Sequence, residues 1–190
     1  MRGTDSIWEW IQDARFLKTP FTYTPQAGNT EDGFTSMYGS LGTNPAGGPL
    51  RAVTSIAAQL AGKPRATLRI TGHSLGAALA TLLAIDVAAS GAFTSPEVYT
   101  FASPYVGDQQ FVNAYNHYVA NTWRIANQVD IVTHVPPRLF FGYEHVGHGF
   151  LLNSAGSVRI DIACNHSLAT YLHLLSVLAG IPVLPVDPGC

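Results

Sequence analysis

The segment "RITGHSLGAALATLLA", residues 69–84, constrains the fold more than any other part of the chain. The run "ATLRIT" (66–71) predicts a short strand, and a helix is predicted from Gly76 to Ala89. Between them lies Gly72-His73-Ser74-Leu75-Gly76, a G-x-S-x-G turn so sharp that the residues two before and two after the serine crowd each other. The serine hydroxyl is then exposed above the sheet edge, in front of the positive end of the helix. This pattern predicts that Ser74 is a nucleophile, with an ordinary glycine-rich turn as the alternative.

The composition predicts one globular domain over residues 1–190. Hydrophobic residues make up 47% of the chain and charged residues 12%, and the net charge of -2 gives no electrostatic basis for binding nucleic acid or an anionic membrane. No apolar stretch reaches the roughly 18 residues that a membrane span needs. The N-terminus has acids and tryptophans where a secretory signal would have a basic start and an apolar run, so nothing in the sequence directs export and the localisation stays open.

The only two cysteines are Cys164 and Cys190. They could form a disulfide that ties the C-terminal tail to the rest of the chain if the compartment is oxidising. Two reduced thiols are an equally good interpretation of the sequence. The redox state therefore stays open at this stage.

Strands alternate with helices along the chain. Strands are predicted at 66–71, 97–102, 122–127, 147–153 and 157–162; helices are predicted at 50–61, at 76–89, around Phe111, Tyr115 and Tyr118, and from His166 to Ala179. This alternation predicts an α/β fold with a largely parallel central sheet flanked by helices. Catalytic loops are then expected at the carboxyl ends of the strands.

A serine nucleophile needs a base, and the base needs a carboxylate that orients it. Asp130 is the preferred acid, because it stands just beyond the predicted strand "TWRIAN" in the loop "QVDIVTHVPP". Asp86 is expected to be solvated on the helix after the serine, and Asp108 sits where a helix N-cap belongs. Glu97 and Asp161 lie within or beside predicted strands.

His166 is the preferred base, because a loop leads into it and leaves it free to turn towards Ser74 and Asp130. His73 is held beside the nucleophile and cannot face it, and His134 follows Asp130 too closely. The pair His145 and His148 has no evident third ligand and no H-E-x-x-H motif, so structural contacts are the better interpretation. No metal and no cofactor are predicted.

These segments resemble the class 3, or fungal-type, triacylglycerol lipases of the α/β-hydrolase fold. "RGTDSIWEWIQD" is similar to the oxyanion-loop and lid segment of that family, "TGHSLGAALA" to its nucleophile turn, and "RIANQVDIVTHVPP" to its acid loop; "TFASPYVGDQQF", "GYEHVG" and "NHSLATYL" are similar to further blocks. The resemblance implies that Ser74 is the nucleophile, Asp130 the acid and His166 the base. It implies oxyanion donors at Thr4 and at the backbone N–H of Leu75.

The chain also departs from the pattern of this family at several positions. The strands that precede "RGT" in the family are expected to be missing, which would leave Thr4 on a fraying terminus. Ala102 and Tyr105 stand where the family has glycine and arginine in "TFGSPRVG". Ile7, Trp10 and Ile11 form an apolar stripe that fits a lid, and an ordinary core-facing helix is the alternative.

The sequence therefore predicts a serine hydrolase that cleaves carboxylic esters through an acyl-enzyme, and it favours a triacylglycerol lipase. The expected partner is an ester or lipid substrate, with an oil–water interface as the setting, and the chain is expected to be a monomer. One alternative is a feruloyl or carboxylesterase with the same triad. The other is an inactive, truncated lipase-like domain that keeps the fold without the chemistry.

Overall fold

The computed structural model describes residues 16–42, 51–60 and 67–190. The strands are β1 (Lys18–Pro20), β2 (Asn29–Glu31), β3 (Arg69–His73), β4 (Glu97–Phe101), β5 (Gly107–Asp108), β6 (Asn121–Asn127), β7 (Tyr143–Glu144) and β8 (His148–Leu152). The helices are α1 (Asp32–Ser40), α2 (Ala52–Gln59), α3 (Leu75–Ala89), α4 (Gln109–Tyr118), α5 (Arg138–Phe141), α6 (Ile162–His166) and α7 (Leu168–Ala179), with a 3₁₀ turn at Ile131–His134. None of the described helices is long and apolar enough to cross a bilayer.

Strands β3, β4, β6 and β8 form a parallel sheet in that order. Phe101 on β4 lies opposite Ile125 on β6, which in turn lies opposite Phe150 on β8. Helix α3 connects β3 to β4 and helix α4 lies between β4 and β6, as parallel neighbours require a crossover. The carboxyl ends of the four strands therefore share one edge, and the predicted α/β class is confirmed.

Helix α3 is the centre of the larger core. All its residues from Gly76 to Val87 are buried, because an Ala- and Leu-rich helix can pack on every side. It lies against β3, β4 and helices α1, α2 and α4. Helix α7 covers the other side of the sheet, where Tyr171 packs with Ile125 and Leu152. Helices on both faces of the sheet thus hold its strands in place.

A small antiparallel sheet, in the order β1-β2-β5-β7, lies beside this core. Asp108 joins it to helix α4, because its carboxylate accepts hydrogen bonds from the Phe111 N–H (2.9 Å) and from the Asn29 side chain (2.8 Å). The prediction that Asp108 is a helix N-cap is confirmed. The cap stabilises the first turn of α4, the helix that lies between β4 and β6 in the chain.

The predicted strand at 157–162 is wrong. Only an isolated bridge between Ala155 and Val158 forms there, and α6 begins at Ile162. Asp161 ends the extended run, because its carboxylate accepts a hydrogen bond from the Cys164 N–H and caps α6. The predicted helix start at His166 is also displaced: His166 ends α6, and Ser167 is the N-cap of α7.

The expectation that Asp86 is solvated is wrong as well. Its side chain is 0% exposed, and it accepts hydrogen bonds from the Tyr38 hydroxyl (2.6 Å) and from the Arg51 guanidinium. Helices α1 and α2 bring these two partners over α3. The position of Asp86 along α3 does not indicate which residues pack on it, so the sequence pattern could not reveal this ion pair between a buried carboxylate and a half-exposed arginine.

The structure joins Cys164 to Cys190 in a disulfide. The tail that ends at Cys190 also contacts α7, where the His173 ring donates to the Leu184 carbonyl (2.8 Å) and the Ser176 hydroxyl accepts from the Leu184 N–H (3.0 Å). The C-terminal tail is thereby held against the short helix that carries His166.

Candidate active site

Ser74 lies on a strained turn between β3 and α3. Its φ of 59° and ψ of -129° fall in a region that non-glycine residues rarely occupy. A Cβ atom added to Gly72 would lie 2.1 Å from the carbonyl oxygen of Gly76, closer than any real contact. The crowding expected from the G-x-S-x-G spacing is thus present in the backbone.

The Ser74 hydroxyl has no role in capping helix α3. Although Ser74 is the N-cap of α3, its side chain makes no capping hydrogen bond, and its backbone N–H donates to the Phe101 carbonyl at 3.0 Å. Leu75 is the first residue of α3, where backbone N–H groups have no partner within the helix. Such groups suit a developing negative charge on an oxygen held beside the serine.

Asp130 stands in the turn after β6, at the carboxyl edge of the sheet. Its carboxylate is 1% exposed. It accepts hydrogen bonds from the Val132 N–H (3.0 Å), from the Tyr171 hydroxyl (2.7 Å) and from His166 Nδ1 (2.9 Å to Oδ2). These three donors fix the position of the carboxylate and orient it towards the His166 imidazole.

His166 is buried, with 7% of its surface exposed. Nδ1 faces Asp130, so the proton on this nitrogen is the donor and Nε2 carries the lone pair. Nε2 is buried and has no hydrogen-bond partner among the described residues. A nitrogen in this condition is available to take a proton from a neighbouring group.

His73 links the serine turn to His166. Its Nε2 donates to the His166 carbonyl oxygen at 2.8 Å, and the two rings lie 4.7 Å apart between centroids. Burial, with a contribution from the nearby His166 ring, lowers the pKa of His73 to about 4. His73 is therefore a neutral donor at pH 7, and Ser74 is the next residue along the chain.

A buried polar cluster holds the backbone just before His166. The Asn127 side-chain amide donates to the Ser154 hydroxyl (2.8 Å) and to the Asn165 carbonyl (2.9 Å), and the Ser154 hydroxyl donates to the Asn165 side chain (2.9 Å). The Asn127 backbone N–H also donates to the Tyr171 hydroxyl at 2.9 Å. The end of β6 thus positions both the acid and the residue preceding the imidazole.

The other acids that the sequence offered are engaged elsewhere. Each is paired with an arginine or caps a helix: Asp86 with Arg51, Glu97 with Arg69, Asp108 at α4 and Asp161 at α6. His145 donates to the Thr133 carbonyl (2.9 Å) and stacks on Tyr105 at 3.8 Å between centroids. Within the described ranges no group of acids, histidines and cysteines could hold a metal ion.

Sequence reasoning missed Tyr171 and His73 as partners of the acid and the imidazole. The one sequence signal for Tyr171 was a tyrosine on a largely apolar helix. A phenol needs a hydrogen-bond partner when it is buried, but the sequence does not say which one. Thr4 and the stripe at 7–11 that fits a lid lie outside the described residues.

A serine on a strained strand–helix turn, with a buried His–Asp pair at the carboxyl edge of a parallel sheet, defines the α/β-hydrolase class. The family profile described as Lipase (class 3) matches residues 1–140. The chain therefore belongs to the class 3 lipase family.

Individual relatives agree with this assignment. The chain is 31% identical to a lipase from Rhizomucor miehei over 94% of this chain and 50% of that protein. It is 32% identical to phospholipase A1-II 3 from Oryza sativa subsp. indica over 94% of this chain and 48% of that protein. The solved Rhizomucor miehei lipase–propeptide complex superposes with a TM-score of 0.68 and 30% identity, over 80% of this chain and 47% of that one. The chain thus spans about half the length of the curated relatives it matches.

Proposed function

We propose that this chain is a serine hydrolase that cleaves carboxylic esters, with acylglycerol lipids as its substrates. The observation that carries the proposal is that His73, the residue before the strained Ser74, donates to the His166 carbonyl, while His166 Nδ1 faces Asp130 and its buried Nε2 has no hydrogen-bond partner among the described residues. All three residues come from one chain, so a monomer suffices.

In the proposed reaction Ser74 Oγ attacks the acyl carbonyl while His166 Nε2 takes the hydroxyl proton. Asp130 keeps the Nδ1 proton in place and offsets the charge of the imidazolium. The Leu75 N–H stabilises the oxyanion together with Thr4. His166 then returns the proton to the leaving alcohol, and a water that His166 activates hydrolyses the acyl-enzyme.

Exposed apolar side chains beside the acid favour a lipid over a soluble ester. Val129 and Ile131, on either side of Asp130, are 43% and 40% exposed, and Leu139 and Phe140 on α5 are 94% and 84% exposed. Val129 and Ile131 flank Asp130 along the chain, and exposed apolar side chains of this kind are suited to an oil surface. A soluble-ester hydrolase gains nothing from them.

The first experiment measures intact mass after exposure of the folded 190-residue chain to a p-nitrophenyl alkylphosphonate. We expect one covalent adduct on the parent chain and none on Ser74→Ala. Ser90→Ala, at the other end of the same helix, is the matched control and should react like the parent. A folded parent chain without an adduct would contradict the proposal and favour the inactive lipase-like domain.

A second experiment separates lipids from soluble esters. Leu139→Gln with Phe140→Gln should lower hydrolysis of an emulsified triacylglycerol severalfold and leave hydrolysis of soluble p-nitrophenyl butyrate unchanged. Ile160→Gln, which replaces a side chain that is also 94% exposed, controls for surface polarity in general. Equal rates on the emulsion for the parent and the double variant would show that Leu139 and Phe140 do not contact the oil surface, and a parent that hydrolyses only the soluble ester would favour a carboxylesterase or feruloyl-type esterase.

A further inference from the structure

A cavity of about 210 Å³ lies beside the loop that carries Asp130. Its walls include Tyr105, Arg124, Thr133, His134 and His145. Thr133 and His134 also contact the backbone oxygen of Asp130. The cavity is separate from Ser74, which is not among its lining residues, and the proposed ester hydrolysis does not use it.

Arg124 differs from the other arginines that the structure describes. Arg51, Arg69, Arg138 and Arg159 each form an ion pair with a carboxylate. Arg124 forms none with any described residue, and its Nε is buried without a hydrogen-bond partner. An unpaired cation that is partly withdrawn from water is costly, and burial lowers the pKa of the half-buried Arg124 guanidinium accordingly.

The position opposite Arg124 in the sheet is a glycine. Gly149 on β8 lies in register with Arg124 on β6, and a Cβ atom added to Gly149 would lie 2.8 Å from Arg124 Nη2. Any carboxylate side chain here would reach the guanidinium, and glycine provides none. The guanidinium therefore lies against Gly149, and its neighbour across the two strands supplies no negative charge.

The remaining walls do not neutralise Arg124 either. Among the residues that the structure describes, no aspartate or glutamate lines the cavity. His145 is a neutral donor, because burial and the Arg124 charge lower its pKa to about 3 and its Nε2 donates to the Thr133 carbonyl. A cavity of about 210 Å³ beside an unpaired guanidinium has room for an anion of a few heavy atoms.

We propose that this cavity is a binding site for a small oxyanion, a carboxylate or a phosphate, held by the guanidinium of Arg124. The planar N–H fork of arginine fits two oxygens of such an anion. The Tyr105 hydroxyl and the Gln128 amide stand on the walls as further polar groups. Binding at this site requires no ester hydrolysis, so its failure and the failure of the proposed function are distinguishable.

The test follows the ¹H–¹⁵N signal of Arg124 Nε while sodium acetate or sodium phosphate replaces sodium chloride at constant ionic strength. We expect a saturable shift of this signal and a melting temperature about 3–6 °C higher at tenfold the Kd. Arg124→Lys removes the signal and assigns it. The acetate and phosphate titrations separate the two anion classes.

Two variants of Gly149 test the proposal without any substitution of Arg124 itself. Gly149→Glu should supply the missing carboxylate, abolish the response to both anions, and melt about 3–6 °C above Gly149→Gln. Gly149→Gln has the same size without the charge and should respond to the anions more than Gly149→Glu does. A parent chain with no saturable response, or a response of equal size in Gly149→Glu, would overturn the proposal.

Discussion

The two halves of the candidate site are built in different ways. The serine turn is made from five consecutive residues, 72–76, and its geometry comes from backbone crowding between Gly72 and Gly76. The acid–base half draws Asp130, His166 and Tyr171 from three separate segments and joins them through side-chain hydrogen bonds. The first half should therefore fail abruptly when its backbone is altered. The second should weaken in steps, one contact at a time.

The largest expected effect falls on the acid. Asp130→Asn keeps the shape but removes the charge that holds the His166 Nδ1 proton, so kcat should fall about 10³- to 10⁴-fold. Steady-state kinetics on a soluble p-nitrophenyl ester measures this loss. Asp32→Asn, at an exposed acid on α1, should leave kcat unchanged; a fall in both variants would show that charge alone, and not the pairing, is responsible.

Gly72→Ala tests the abrupt failure of the serine turn. The added methyl group would overlap the Gly76 carbonyl at 2.1 Å, so we expect a loss of about 3 kcal/mol or more in the free energy of unfolding. Urea denaturation measures it. Gly91→Ala also places a side chain at a positive φ, 67°, but in open space, and should cost about 1 kcal/mol. Similar losses in the two variants would contradict the crowding.

Removal of the disulfide tests how firmly the histidine segment is anchored. Cys164→Ser with Cys190→Ser opens a crosslink between residues 26 apart, which should cost about 3 kcal/mol of unfolding free energy. Differential scanning calorimetry of the parent and the double variant measures the loss. Unchanged stability would mean that the hydrogen bonds of the tail to α7 suffice to hold it.

Tyr171→Phe should weaken the acid–base half by one step. It removes a hydrogen bond to the Asp130 carboxylate and leaves the Asn127 N–H unpaired, at a cost of about 2 kcal/mol and with a lower kcat. Tyr115→Phe is the matched control, because it removes an equally buried hydroxyl that contacts Thr122 away from the site. It should lose stability without losing kcat. Equal kcat values in both variants would make Tyr171 a packing residue only.

The effect of pH is the smallest when it is counted per pH unit. Burial lowers the pKa of His145 to about 3 in the folded chain, whereas in the unfolded chain its pKa is near 6.5. Between these two pH values the unfolded chain binds a proton at His145 and the folded chain does not. The unfolding free energy should therefore fall as the pH drops from about 6.5 to about 3, by up to about 1.4 kcal/mol per pH unit from this residue. His145→Gln should reduce that slope by up to one proton in urea titrations between pH 4 and pH 6, and an unchanged slope would assign the proton to other groups.

The sequence by itself determined the features that depend on residues close together along the chain. Strand β3, the serine turn and helix α3 follow from local sterics and from an unbroken small and apolar run, and β4, β6 and β8 follow from β-rich segments between turns. The N-cap at Asp108 was equally local. The strand predicted at 157–162 failed because no strand among the described residues pairs with it, and sheet pairing is not a property of one segment.

Only the tertiary structure decided which distant groups meet. It buried Asp86 under Tyr38 and Arg51, placed the Tyr171 hydroxyl on Asp130, joined Cys164 to Cys190 and left Arg124 facing a glycine. Periodicity reports which face of an element is apolar, but it does not report which polar side chain from another element arrives there. Hydrogen bonds and ion pairs act over a few ångströms, so their partners exist only once the chain has folded.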